Sequence, residues 1–473
     1  MNKSILLLST VVLLSISLAF IAFSCKQEPK AASASAPAAL EPSTAAPDWA
    51  DGANIYEVNI RQYTPEGSIK AFAGHLPRLQ KMGVDILWLM PVFPVSEERR
   101  KGTLGSYYAV SDFRQINPEF GTMEDFRAML DEAHRLGLRV ILDWVPNHTG
   151  WGHTWIKEHP EFYTQNKAGE IIDPIDPKTG ESWGWTDVAD LNYDNADMRK
   201  AMIGDMLFWI NEVGIDGFRC DVAGEVPDDF WKDASAQLRQ AKSDIFMLAE
   251  AEYPPHRNDE HFAMSYGWSF HHLMNNIAKG EKNASDVALW LAEDRAQFSK
   301  GYHMQFITNH DENSWNGTEF ERMGEAVKTM AVLAFTFDGM PLIYSGQEAG
   351  LNKRLEFFEK DTILWDNLPA YEPFYRSLLD LKHRNKALWN GAAGGEPTII
   401  PAGDPKKVLV YLREKGEQRV VVILNLSPEP QDIVLEDKRL AGSYSNIFAN
   451  SSTTITPGMS LKLNAWDYLV LDK

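Results

Sequence analysis

Short apolar runs alternate with amphipathic stretches along the chain between residues 54 and 348. The runs are four to nine residues long, which is typical of strands buried in a parallel sheet. Most of the stretches between them repeat apolar residues every three or four positions, which is typical of helices. Eight such units predict an α/β fold, a (β/α)8 TIM barrel with strands at residues 55–63, 86–92, 140–145, 217–223, 245–251, 265–270, 304–310 and 342–345.

Two parts of the chain depart from this alternation. The link after the third strand, residues 149–190, is too long for a simple loop and predicts a small inserted domain that forms one wall of a cleft above the barrel. After residue 391 the apolar residues alternate or form short runs, and turns separate them. This pattern predicts an all-β sandwich over residues 391–473, so that the barrel with its insertion covers residues 48–390.

The first 47 residues differ from the rest in composition. A basic Lys3 precedes an almost unbroken apolar run, and Ser24 then precedes Cys25. Residues 1–25 are typical of a bacterial lipoprotein signal peptide whose cleavage leaves a lipidated Cys25; an uncleaved membrane anchor and an ordinary secretory signal are the alternatives. Residues 26–47 are rich in Ala, Ser and Pro and predict a disordered tether. We expect a protein of the bacterial cell envelope, anchored to the membrane through Cys25 and facing the periplasm or the cell surface.

The net charge excludes one class of partner, and the number of cysteines argues against a disulfide. The net charge of −20 leaves no basic face for phosphates, so nucleic acid is not an expected partner. Apart from Cys25, the one cysteine is Cys220, which lies inside a predicted strand. We therefore expect no intramolecular disulfide and interpret Cys220 as a small core residue.

Two carboxylates follow neighbouring predicted strands. Asp221 and Glu250 end the fourth and fifth apolar runs, and Arg219, two residues before Asp221, points to the same side of its strand. An adjacent arginine favours an ionised carboxylate, whereas a glutamate without an adjacent cation can keep its proton. A nucleophile beside an acid predicts the cleavage of a glycosidic bond. The alternative is a structural Arg–Asp pair and an unrelated glutamate.

Polar residues also end three other predicted strands. The end of the third carries Asp143, Asn147 and His148, the end of the seventh carries residues 309–311, and the end of the eighth carries residues 346–348. Buried charge is costly unless it is paired or used, so five strands that end in charged or amide groups are more than chance would supply. Because active sites of TIM barrels lie at the carboxyl ends of the strands, the sequence predicts one active site there.

Short motifs in a fixed order carry a family resemblance. They are DWVPNH (143–148), GFRCDVA (217–223), LAEA (248–251) and TNHDEN (308–313). With them the chain resembles the α-amylase superfamily, glycoside hydrolase family thirteen, over residues 50–385. The resemblance implies a retaining α-glucan hydrolase, an α-amylase that cleaves α-1,4-glucosidic bonds of starch or maltooligosaccharides through a covalent glycosyl-enzyme intermediate. A 4-α-glucanotransferase, a cyclodextrin- or pullulan-acting relative and a catalytically inactive glucan-binding barrel are the alternatives.

The resemblance also implies roles for single residues. Asp221 corresponds to the nucleophile, Glu250 to the general acid and base, and Asp311 to the carboxylate that holds ring hydroxyls. Asp143 corresponds to a residue that supports the site without doing chemistry. The positions implied to bind substrate are Tyr108, His148, Arg219 and His310.

No cofactor is implied for the chemistry, but the resemblance allows a structural Ca2+ ion. Asn147 and Asp190 correspond to two of its ligands, and a hydrogen-bonded loop junction is the alternative interpretation of both. Within the insertion, Trp151, Trp183 and Trp185 are candidates either for stacking on glucan rings or for packing.

Overall fold

The computed structural model describes residues 39–176, 178–449 and 451–473. The signal peptide expected at residues 1–25 and most of the tether expected at 26–47 lie outside the described residues, so both stay predictions. In the part of the chain that is described, none of the helices combines the length and the apolar character needed to cross a membrane.

The last residues of the predicted tether pack against the barrel and are not disordered. The Glu41 amide donates to the Ser299 carbonyl at 2.7 Å, and the Thr44 amide donates to a Glu260 carboxylate oxygen at 2.7 Å. Ala45 is buried there. The tether prediction is wrong for this short segment, because composition does not show which backbone groups find hydrogen-bond partners on a neighbouring surface.

Ten strands lie in the N-terminal part of the described chain: β1 (Ile55–Val58), β2 (Ile86–Leu89), β3 (Arg139–Trp144), β4 (His148–Gly150), β5 (Val188–Asp190), β6 (Gly217–Cys220), β7 (Phe246–Ala249), β8 (Met264–Tyr266), β9 (Tyr302–Gln305) and β10 (Met340–Tyr344). Eight of them are parallel and close into a barrel in the order β1–β10–β9–β8–β7–β6–β3–β2, which confirms the predicted TIM barrel. Strands buried on both faces explain the continuous apolar runs in the sequence.

The first apolar run, residues 55–63, is a strand only as far as Val58. The Asn59 side chain accepts a hydrogen bond from the Gln62 amide and caps a helical turn, Ile60–Tyr63. The prediction of one long strand is therefore wrong at its second half, because a cap residue inside an apolar run ended the strand.

The runs at 265–270 and 304–310 are also shorter as strands. β8 ends at Tyr266, and a helix begins two residues later at Trp268. β9 ends at Gln305, before the polar residues of the seventh strand end. Short apolar runs fit a buried helix as well as a buried strand, so the period of the pattern could not separate them.

Helices cover the outside of the barrel and bury their apolar stripes against it. The helix after β2, for example, buries Phe126, Met129, Leu130 and Ala133, which are three or four residues apart. The described α-helices of five or more residues are Ile69–Ala73, Leu76–Met82, Met123–Arg135, Ala196–Phe208, Asp228–Ala241, Pro254–Asn258, Trp268–Ala278, Ser285–Gln297, Glu319–Met323, Val327–Thr336 and Leu368–Arg384. Short π-helical segments lie at Trp209–Val213 and Glu312–Asn316.

The insertion after β3 leaves the barrel through a small two-stranded ribbon. β4 and β5 are antiparallel, and His148 pairs with Asp190. Between them lie short helical turns, Trp155–Glu158 and Pro160–Phe162, and a long irregular segment. This ribbon holds the inserted segment over the carboxyl end of β3, where the sequence predicted one wall of a cleft.

The C-terminal part is all-β, as predicted. Its strands are β11 (Thr398–Ile399), β12 (Val408–Lys415), β13 (Gln418–Asn425), β14 (Gln431–Leu435), β15 (Gly442–Asn446), β16 (Ser451–Ile455), β17 (Met459–Leu463) and β18 (Tyr468–Asp472). Six form one antiparallel sheet in the order β11–β12–β13–β18–β15–β16, and β14 pairs with β17. Apolar residues of both sheets share one core, for example Ile423 with Ile433 and Leu463, which confirms the sandwich.

Candidate active site

The site is built around one arginine that is fully buried inside the barrel. From β6, Arg219 places Nη1 2.7 Å from Asp143 Oδ1 and 2.8 Å from Asp221 Oδ1. Its Nη2 lies 2.8 Å from Glu250 Oε2, although no N–H of Nη2 is aligned for a hydrogen bond. Its Nε donates to the Tyr266 hydroxyl at 3.1 Å. One guanidinium therefore holds three carboxyl groups together at the carboxyl ends of β3, β6 and β7.

The contact with Glu250 corrects the expectation that no cation lies beside this glutamate. Arg219 pairs in register with Leu248 on β7, so the residue just after β7 reaches back over the guanidinium. Separation along the sequence did not reveal this neighbour, because the register between strands decides it.

Asp143 is saturated with hydrogen bonds. Besides Arg219, its Oδ2 accepts from Trp88 Nε1 at 3.1 Å and from the Tyr108 hydroxyl at 3.0 Å. The side chain is completely buried, and this burial raises the pKa of Asp143 to about 6 against the opposing effect of Arg219. A carboxylate whose oxygens are all engaged below the cleft fits the supporting role that the resemblance implies.

Burial also raises the pKa of both predicted catalytic carboxyl groups. The pKa of Asp221 rises to about 6, since desolvation outweighs the attraction of Arg219. The pKa of Glu250 rises to about 7 by desolvation, against Arg219 and with the negative charges of Asp221 and Asp311. Arg219 lowers the pKa of Asp221, as expected, but burial outweighs it, and Glu250 still holds its proton at a higher pH than Asp221.

Each of the two predicted catalytic carboxyl groups, Asp221 and Glu250, uses one oxygen for its support. Asp221 Oδ1 accepts from Arg219, and Glu250 Oε2 accepts from the Val222 amide at 2.8 Å. The remaining oxygens, Asp221 Oδ2 and Glu250 Oε1, are the ones left for chemistry. Both side chains line the cleft, so these oxygens can meet a substrate there.

His310 is held as a cation between two acids. Its Nδ1 forms a very short hydrogen bond with Glu57, and its Nε2 lies 2.7 Å from the Tyr108 hydroxyl and 3.3 Å from Asp311 Oδ2. Burial alone would lower the pKa of His310, but Asp311 and Glu57 raise it to about 9. Glu57 was missed by the sequence analysis, although a carboxylate inside the otherwise apolar strand β1 was the available signal.

The Tyr108 ring lines the cleft, and the contact with substrate that the resemblance implied for it stays a prediction. It stacks on His310 with 22° between the planes and on Phe357 with 9°. Its hydroxyl bridges Asp143 and His310. The ring lines the cleft while the hydroxyl fixes its orientation, so a sugar ring can rest against it.

His148 is a neutral imidazole at the edge of the insertion. Burial lowers the pKa of His148 to about 4, and its Nδ1 lies 3.3 Å from the Asn147 side-chain amide. The ring also meets the Trp185 indole edge-on at 5.8 Å.

A cleft of about 830 Å³ contains all three predicted catalytic acids. Trp183 and Trp185 line it, whereas Trp151 is buried under the Arg99 guanidinium and donates its N–H to the Thr186 carbonyl at 3.1 Å. Trp151 therefore packs and does not stack on substrate. Further aromatic residues that the sequence analysis missed line the same cleft, and they are Tyr253, Trp268, Trp315, Phe357 and Phe358.

The two predicted calcium ligands lie at one end of the β4–β5 ribbon. Asn147 directly precedes β4, and Asp190 ends β5. Desolvation raises the pKa of Asp190 to about 6, and a hydrogen bond from the Thr164 side chain offsets this only in part. Oxygen donors of this kind fit calcium. Within the described ranges no three His, Cys, Asp or Glu side chains converge as metal ligands, so the ion stays a prediction.

Comparison with known families assigns both parts of the chain. The model of the α-amylase catalytic domain matches residues 45–367, and that of the maltogenic amylase C-terminal domain matches residues 398–470. Among curated proteins, an α-amylase of Haloarcula japonica is 27% identical over 87% of this chain, which spans 61% of that relative. A maltogenic α-amylase of Bacillus acidopullulyticus is 24% identical over 86% of this chain and 70% of its own length.

Solved structures give the same assignment. An α-amylase of Lactobacillus plantarum is similar with a TM-score of 0.78 and 27% identity, covering 90% of this chain and 99% of that one. A maltogenic α-amylase of Thermotoga neapolitana is similar with a TM-score of 0.79 and 26% identity, covering 89% of this chain and 98% of that one. Since the catalytic-domain model spans more than half of the chain, the protein belongs to the α-amylase family and is a glycosidase.

Proposed function

We propose that the protein hydrolyses α-1,4-glucosidic bonds of maltooligosaccharides and starch with retention of configuration. The observation that carries the proposal is the pair of carboxyl groups, Asp221 and Glu250, held on one guanidinium with one oxygen of each left for chemistry. A retaining glycosidase needs such a neighbouring nucleophile and acid. The names of several relatives support the substrate, because α-amylases, a maltogenic α-amylase and cyclomaltodextrinases are among them. Other relatives are an oligo-1,6-glucosidase and a trehalose-6-phosphate hydrolase.

In the first step Asp221 Oδ2 attacks the anomeric carbon of the bound glucosyl unit. Glu250 Oε1 gives its proton to the glycosidic oxygen, the bond to that oxygen breaks, and the shorter sugar leaves. The transition state is oxocarbenium-like, so the negative charge of Asp311 favours it. The product of this step is a β-linked glycosyl ester on Asp221.

In the second step water completes the hydrolysis. Glu250, now a carboxylate, takes a proton from water while the water oxygen bonds to the anomeric carbon and Asp221 leaves. The ester has removed one negative charge beside Glu250, and the pKa of Glu250 falls because that charge had raised it. Two inversions restore the α configuration. Transfer to a sugar in place of water would make the protein a transglycosylase.

A product time course on maltoheptaose tests the proposal. Early samples analysed by NMR are expected to show α-anomeric reducing ends, and chromatography is expected to show only shorter oligosaccharides. Glu250→Gln serves as the control without turnover. An initial β-anomer would contradict retention, and products longer than seven glucose units would move the assignment to a glucanotransferase.

We also propose that Cys25 anchors the enzyme to the cell envelope, on the strength of the apolar run and the cysteine that follows it. The test is labelling with radioactive palmitate in a bacterial host, with Cys25→Ser as the control. Label in the parent and none in the variant is expected. An unlabelled parent that is released into the medium would favour an ordinary secretory signal.

For calcium, we propose that Asn147 and Asp190 supply two oxygen ligands of a structural ion. Such an ion would join the insertion to the barrel and would take no part in the chemistry. Removal of metal with a chelator is expected to lower the melting temperature of the parent and to change that of Asp190→Asn much less. Equal responses of the two proteins would leave these residues as a hydrogen-bonded junction.

A further inference from the structure

One lysine joins the loop that follows β2 to the inserted segment at the lining of the cleft. Lys101 Nζ lies 2.7 Å from Asp187 Oδ1 and donates to the Gly184 carbonyl at 3.1 Å. Asp187 is only 5% exposed, and Lys101 is its one cationic partner within the described residues. Because a buried carboxylate is costly without a partner, this bridge holds the two segments together. Both residues line the cleft.

The same loop is joined to the opposite side of the cleft. The Leu104 amide donates to the Phe358 carbonyl at 3.0 Å, and the Thr103 amide donates to a Glu359 carboxylate oxygen at 2.8 Å. Residues 96–105, called the wall loop below, thus connect the insertion on one side with the segment after β10 on the other. The three segments form a continuous hydrogen-bonded barrier at one end of the cleft.

The wall loop is rigid where it turns. Arg99 has a φ of 55°, and its guanidinium lies 3.4 Å from the Trp151 ring centroid, which fixes this strained residue. Gly102 has a φ of 63°, and a Cβ there would lie 2.5 Å from the Phe358 Cβ. Positive φ together with this close approach requires glycine. The barrier is therefore present before any substrate binds.

Contacts of the barrier show which end of the cleft it closes. Phe357, next to Phe358 in the barrier, stacks on Tyr108. The acid Glu250 must face the leaving group, and Glu252 and Tyr253, which follow it along the chain, also line the cleft. The departing sugar therefore lies over these residues. The barrier instead joins the inserted segment through Lys101 and meets Tyr108 through Phe357, which places it on the side of the glucosyl unit that becomes bound to Asp221.

From this geometry we propose that the barrier makes the enzyme act from the non-reducing end and release oligosaccharides of one short length. Lys101 and Asp187 are then residues that determine specificity, because a long glucan cannot continue past them. The inference rests on the proposed α-1,4 hydrolysis. It adds that chain ends are required, which the catalytic carboxyl groups alone do not dictate.

The experiment compares maltoheptaose with maltoheptaose that carries an ethylidene group on its non-reducing terminal glucose. The full chain is expected to release one short product from the free sugar and to cleave the blocked sugar at least about tenfold more slowly. Lys101→Ala and Lys101→Met are expected to raise the ratio of blocked to free cleavage about fivefold or more and to broaden the products, because the barrier loses its bond to the insertion.

A matched control is Lys407→Ala in the turn that precedes β12 of the C-terminal part. Lys407 also forms an ion pair, with Glu429, and its side chain is 36% exposed, as is that of Lys101. This variant is expected to behave as the parent on both sugars. Equal cleavage of both sugars by the parent would overturn the inference, and so would an unchanged ratio in both Lys101 variants that melt like the parent. Failure of the parent on both sugars would instead contradict the proposed hydrolysis.

Discussion

Two aspartates at the opposite ends of β6 have opposite electrostatic surroundings. Asp216, just before the strand, accepts from Lys242 Nζ at 2.9 Å and Arg139 Nη1 at 3.1 Å and lies 2.7 Å from His134 Nε2. Burial alone would raise the pKa of Asp216, but these partners hold it well below its usual range. Asp221, just after the strand, shares a single arginine with two other acids, and burial raises its pKa.

The difference indicates that the carboxylate before β6 serves the stability of the fold, whereas the carboxylate after β6 serves the proposed chemistry. At the amino end of the barrel a carboxylate with several cationic partners is already satisfied and joins the neighbouring elements. At the carboxyl end three acids share one cation, so the cluster is short of positive charge and ready to exchange protons or to bond a sugar carbon. TIM barrels generally divide their two faces in this way.

The largest effect is expected from Asp221→Asn. Activity on maltoheptaose should fall on the order of 10⁴-fold, because no group remains to form the glycosyl ester. The melting temperature should change little, since Arg219 keeps its contacts with Asp143 and Glu250. Enzyme assays and thermal denaturation check this. Residual activity near that of the parent, or a large loss of stability, would remove the distinction between the two ends.

Asp216→Asn should give the reverse result. The variant is expected to lose about 2 kcal/mol of unfolding free energy, because charge-assisted hydrogen bonds at a buried site disappear. Activity per folded molecule should stay the same, as the site lies at the other end of β6. Urea unfolding measures the loss, and Asp380→Asn, an exposed member of an ion pair on a helix, is the control with an expected change within about 0.5 kcal/mol.

The pH dependence of activity should be a narrow bell. Asp221 must be deprotonated and has a pKa of about 6, whereas Glu250 must be protonated and has a pKa of about 7. The acidic limb of kcat/KM on maltoheptaose is therefore expected near pH 6 and the basic limb near pH 7, both as properties of the coupled pair. An acidic limb below pH 5 or activity that stays high at pH 9 would contradict this account.

The smallest effect concerns stability against pH. The raised pKa of Glu250 contributes stability that is complete below its ordinary pKa of 4.5 and is lost as the pH rises through about 7. The lowered pKa of Asp216 contributes stability that is lost as the pH falls below its ordinary 3.8. Glu250→Gln should thus reduce the loss of unfolding free energy as the pH rises towards about 7. Asp216→Asn should reduce the loss of unfolding free energy as the pH falls below 3.8. Each reduction should be no more than about 2 kcal/mol. Exchanged effects would contradict the assignment.

Local patterns in the sequence predicted much of this architecture. The eight apolar runs predicted the barrel, and the acids Asp221, Glu250 and Asp311 at their ends do meet in one cleft. Strand ends were less predictable, because the cap at Asn59 and the helix from Trp268 lie within apolar runs. Cys220 is a buried free thiol, as expected.

Residues that are neighbours in the chain were enough to predict the alternation of elements, the order of the motifs and the identity of the acids. The folded chain was needed to show that Arg219 touches Glu250, that Glu57 holds His310, and that Lys101 joins the wall loop to Asp187. Glu57 and His310 are 253 positions apart. Such contacts, and the pKa values that follow from them, depend on strand register and on burial, which no local pattern encodes.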